Sequence, residues 1–99
     1  MKNIENIEVG DIFAENYGSN ANQTAFSQVV KRTAKFVDVR RIRATAGKPL
    51  GGMDYELIPA TDDFMEAEPT RYKIKNWTSN PDNPMPCIMT GYMPAFLID

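Results

Sequence analysis

Apolar residues in this chain fall in short runs separated by glycine, proline and small polar residues. Within the runs they alternate more often than they recur every three or four positions. That is the pattern of half-buried strands joined by turns. No window holds the i, i+3, i+4, i+7 spacing for long, so the one helical turn expected is at residues 4–7. Strands are expected at 9–14, 26–32, 35–42, 53–58, 70–77, 87–90 and 95–98. On the third of these, Val37 and Val39 share one face, and Asp38 and Arg40 the other. Alternation fails at Arg40-Arg41-Ile42, where a bulge would return Ile42 to the inside. Residues 70–77 set Arg71, Lys73 and Lys75 against Tyr72 and Ile74.

Between these runs, 16–23 read as a polar loop, 44–52 as a flexible link, 61–69 as an acidic loop and 79–86 as a proline-rich loop. Six or seven short antiparallel strands must close on themselves or cover their edges. The expectation is therefore a mostly β fold, a small SH3-like barrel or roll, in a single domain over residues 1–99. The strand at 95–98 is expected to offer an open edge through which two subunits pair as a homodimer.

The chain has 99 residues, which suits one domain with one modest core. No stretch approaches the roughly 18–20 apolar residues of a membrane span. The first residues alternate charge with isolated isoleucines, so no signal peptide is expected. Cys87 is the lone cysteine, which rules out an internal disulfide and suits a reducing cytoplasm.

Net charge is −2, but it is unevenly spread. Residues 29–48 hold seven basic residues and one acid, and residues 49–70 hold six acids and no base. Two readings stand open: the blocks pair with each other in the fold, or one of them is left as a binding face.

The chain has no histidine, which removes the commonest general acid–base group and metal ligand. Without one, Cys87 between Pro86 and Ile88 reads as a small buried residue. Asp62, Asp63, Glu66 and Glu68 cluster, but without the ligand spacing and central glycine of a calcium loop. Residues 46–49 lack the glycine and hydroxyl of a phosphate-binding loop. No enzyme activity, metal or cofactor is expected. The candidate binding residues are of three kinds. Arg40, Arg41 and Arg43, with Tyr72 and Trp77 as stacking aromatics, suit a nucleotide or single strand. Asp62, Asp63, Glu66 and Glu68 can imitate phosphates against a basic protein cleft. Tyr17, Asn20, Asn22 and Gln23 carry hydrogen-bonding groups on a loop. Five of the six methionines lie at or after Met53 and suit an adaptable protein interface.

The segment Val9-Gly10-Asp11-Ile12-Phe13, then Tyr17-Gly18, then Phe26-Ser27-Gln28-Val29-Val30 resembles a family of small proteins carried by phages and mobile elements. In that family a G-D-I-F/L strand leads to W-G-Y-D-Q-T-N and then F-Y-Q-V. The end of the chain, with Ala95, Phe96 and Asp99, is similar to the family's S-F-A-x-A-Y-x-W-D ending. Asn20-Ala21-Asn22-Gln23 departs from D-Q-T-N, and Ala25 stands where the family has Asp. The resemblance implies a phage or mobile-element origin. With it comes the expectation of a non-catalytic inhibitor of a host defence system, anti-CRISPR-like, that docks on a host protein. The alternative is a nucleotide or nucleic-acid binder, a signal-nucleotide sponge or single-strand binder.

Overall fold

The computed structural model describes residues 4–17, 23–52, 54–78, 80–90 and 93–98. A 3-10 turn, Ile4–Asn6, precedes seven strands: β1 Ile12–Tyr17, β2 Gln23–Arg32, β3 Phe36–Gly51, β4 Asp54–Phe64, β5 Thr70–Trp77, β6 Met85–Thr90 and β7 Met93–Ile98. Every pairing is antiparallel. The order β2-β1-β7-β6-β5-β3 closes on itself because β2 also pairs β3. A small antiparallel barrel results, with β4 attached to the far half of β3.

The barrel interior follows from strand alternation. Phe13, Val29, Val37, Val39, Ile74, Ile88 and Ala95 point inward with Ile7, and Tyr72 and Leu97 pack against them. Phe13, Val29, Val37 and Ile88 are fully buried. The expected bulge at Arg40–Ile42 is not there. The register shift lies on β2, where Val29 faces Val39 and Lys31 faces Asp38, so Val30 is the extra residue. An extra residue bends its strand and sharpens its twist, as tight closure requires. Gly10 (φ 100°) makes the turn into β1, and its N–H donates to the Val29 carbonyl at 2.9 Å. That backbone region favours glycine.

Ile42 is buried on the outer face, not the inner one. It lies opposite Phe26, and neither belongs to the interior cluster. The end of β4 runs beside them, with Phe64 paired to Ile42. Gln28, also buried, donates from Nε2 to Asp62 Oδ1 and accepts from Asp62 N–H at Oε1, both at 2.8 Å. The side-chain amide thus stands in for a strand backbone and holds Asp62 at a φ of 66°. Met65 N–H continues the attachment with a 2.7 Å bond to the Arg41 carbonyl.

Three further expectations are corrected. Residues 44–52 are not a flexible link: most of the segment is the second half of β3, which ends at Gly51 (φ 112°) opposite Asp54, and Gly52 (φ 58°) enters the hairpin turn to β4. The acidic segment is strand as far as Phe64. The 95–98 strand lies inside the sheet and not at its edge: β7 pairs β1 through Phe96–Ile98 on one side and β6 through Met93–Phe96 on the other.

Phe13 anchors the interior, so Phe13→Ala should cost about 3–5 kcal/mol of unfolding free energy. Urea unfolding followed by tryptophan fluorescence measures it; a loss below about 1 kcal/mol would contradict this core.

Candidate binding surfaces

The structure brings the basic and acidic blocks together. Arg43 Nη1 lies 2.6 Å from Asp63 Oδ1 and also donates to the Phe64 carbonyl. Arg40 Nε donates to the Glu66 carbonyl at 2.8 Å, and its guanidinium lies 4.1 Å from the centre of the Phe64 ring. Arg41 shares the inward face of Ser27 and Phe13, and lies 3.7 Å from Glu15. Its Nε is buried without a hydrogen-bond partner among the described residues. The three candidate arginines are therefore divided between two faces and engaged with their own chain.

Of the acidic group, Asp62 and Asp63 are engaged by Gln28 and Arg43, while Glu66 and Glu68 are exposed. Among the described residues no three carboxylate or thiol groups converge as a metal site. Tyr72 packs against the interior, so it offers no ring for stacking. Trp77 is exposed. Tyr17 and Gln23 pair at the end of the β1–β2 hairpin, and Asn20 and Asn22 lie outside the described residues. Cys87 is buried on the outer face between Lys75 and Phe96, and burial pushes its thiol pKa up.

Two surfaces lie apart from the candidate arginines and carboxylates. The first is apolar. Trp77 faces Met85 across β5 and β6. The Cys87–Phe96 register, carried two residues on, sets Ile98 beside Met85, and Ile98 faces Ile12. Trp77, Met85 and Ile98 are 43%, 38% and 40% exposed. The row ends in a cleft of ≈ 230 Å³ lined by Gly10, Asp11, Ile12, Pro59 and Ile98. Pro59 is also the base of a two-stranded ribbon. Along it, Ala44 faces Pro59, Ala46 faces Leu57 and Pro49 faces Tyr55. The paired residues of that face are all uncharged, and Leu57 and Tyr55 stand in solvent. On the opposite face Ile58 lies across Gly47, where a Cβ would come within 2.9 Å of the Ile58 side chain.

Compared with protein-family models, with curated proteins and with solved structures, the chain matches none. The surfaces are therefore read from their own chemistry.

The second surface is basic. Arg71, Lys73, Lys75 and Trp77 occupy alternate positions on β5 and face outward, all exposed. Arg71 is held by Asp38, with Nε to Oδ1 at 2.8 Å and Nη2 to Oδ2 at 3.4 Å. The bond from Arg71 holds the Asp38 carboxyl below the usual carboxylate range. Among the described residues neither Lys73 nor Lys75 forms an ion pair. Phe36, 39% exposed, lies opposite Lys73 on β3.

Sequence signals for both surfaces exist. Strict alternation over 70–77 marks the β5 row, and Gly51-Gly52 marks a hairpin. In sequence the denser arginines of β3 outweigh the β5 row, and the small residues of 44–52 disguise the ribbon.

A native protein should leave Cys87 unreactive to Ellman's reagent at mildly alkaline pH, with full reaction in urea. Native reaction at the rate of a free thiol would show that the outer face is open there.

Proposed function

We propose that this protein is a non-catalytic binding domain that docks on a partner protein through the apolar face of its β3–β4 ribbon and the cleft at the ribbon's base. The observation that carries the reading is the row of uncharged pairs made by Ala44 with Pro59, Ala46 with Leu57 and Pro49 with Tyr55. A two-stranded ribbon is marginal in water by itself. Contiguous exposed apolar surface on a small domain is commonly an interaction site. Pro49 and Pro59 lack an N–H, which makes the ribbon a poor template for an added strand. Its face, with Tyr55 as an aromatic anchor, suits docking better than its edge.

The resemblance of both chain ends to phage and mobile-element proteins makes a host defence protein the first partner to test, with inhibition as the consequence of docking. A phosphate-mimicking acidic loop is the weaker version of this reading, because Asp62 and Asp63 already have partners within the chain. The nucleotide reading built on Arg40, Arg41 and Arg43 is weakened in the same way.

Tyr55→Lys with Leu57→Lys places two charges on the ribbon without touching the interior. In pull-downs from a host lysate, followed by titration of the captured partner, the double variant should bind about 100-fold more weakly than wild type at an unchanged melting temperature. A captured partner bound equally by both proteins would overturn the ribbon as the docking face. Self-association abolished by the same substitutions would assign the face to a second copy instead.

A further inference from the structure

We propose a second site: the outer face of β5 binds single-stranded nucleic acid, with Lys73 and Lys75 on phosphates and Trp77 and Phe36 stacking on bases. The proposal is independent of the ribbon, which is built from the far half of β3 and from β4, whereas Phe36 opens β3 and the other three residues lie on β5.

Alternation along β5 puts Lys73, Lys75 and Trp77 on one outward face. Two residues of strand span about 7 Å, so the row from Lys73 to Trp77 runs about 13 Å. Phe36 sits directly across from Lys73. An exposed aromatic ring therefore stands at each end of a track of two ammonium groups. Met85, opposite Trp77, widens the apolar shelf at that end. This is the arrangement by which small barrels hold single strands, with cations following the backbone and rings taking base faces. The track suits about four nucleotides, near the lower end of known single-domain sites.

The charge accounting supports a polyanion at this place. Arg40, Arg41 and Arg43 are engaged within the chain, whereas Lys73 and Lys75 are in no ion pair among the described residues. Arg71 extends the row, but Asp38 shares its charge. The overall charge of −2 gives no general attraction to nucleic acid, so binding depends on this local row. Exposed rings favour unpaired bases, because a duplex hides its base faces in the stack.

Fluorescence anisotropy with a labelled oligodeoxythymidine of about 12 nucleotides, at low salt, tests the site. Saturable binding is expected, weaker for a duplex of the same length. Log affinity should fall with log salt, and Lys73→Gln with Lys75→Gln should reduce that slope by about 1.4 as two phosphate contacts are lost. Trp77→Ala and Phe36→Ala should each weaken binding about tenfold or more. All four positions are exposed, so circular dichroism and melting temperature should stay at wild-type values. The Tyr55→Lys, Leu57→Lys protein should bind the oligonucleotide as wild type does, which separates this site from the docking face. No saturable binding, or binding indifferent to Trp77 and Phe36, would overturn the proposal. So would displacement of the oligonucleotide by polyglutamate of equal charge, which would assign the row to an acidic peptide.

Discussion

The fold depends on how one long strand is shared. β3 runs sixteen residues, Phe36–Gly51, and has two edges to satisfy over its length. One edge takes β2 over residues 37–42, and the other takes β5 over 36–39 and then β4 from Ile42 onward. Had β3 ended at Ile42, the barrel would still close, but no ribbon would leave it. Because β3 continues, its backbone groups need a partner beyond the barrel, and β4 supplies one. The extra residue Val30 on β2 adds the bend that lets β2 meet β3 and complete the ring.

The same geometry gives the sheet apolar residues on both sides. Phe13, Val29 and Ile88 fill the inside, while Phe26 and Ile42 lie on the outside. An uncovered outer pair would leave apolar area in water, at roughly 25 cal/mol per Å². The end of β4 comes back beside them, and Gln28 fixes it through both bonds to Asp62. That return brings the acidic block against the arginines. Pairs this exposed contribute little stability each. Their consequence lies in the charge map, where the densest run of arginines is largely screened by its own chain.

Once those arginines are engaged, the surface divides cleanly. The paired residues of the ribbon face are uncharged, the cleft beside Ile12 and Ile98 is largely apolar with Asp11 at its wall, and the β5 row is basic with aromatic rings beside it. Trp77 stands where the two meet, next to Met85 in one row and two residues from Lys75 in the other. Both surfaces rest on paired strands, a firmer support than a loop for presenting side chains.

Local pattern sufficed for much of this protein. The β class, the β5 strand at its observed bounds and the inward Val37 and Val39 follow from side-chain alternation and the lack of helical spacing, and the buried Cys87 follows from the lack of a histidine and from its neighbours Pro86 and Ile88. These are properties of neighbouring residues, so a sequence carries them directly. Tertiary structure decided the rest. Residues 44–52 look like a linker because alanine, glycine and proline have low strand preference; their strand exists through pairing with β4. Ile42 looks inward by hydrophobicity, yet with no bulge at 40–42 strand alternation turns it to the outer face, where it is still buried. Which cations remain available was settled by the same long-range fold: charge in sequence counts residues, whereas charge at a surface depends on which partners folding brings within hydrogen-bond reach.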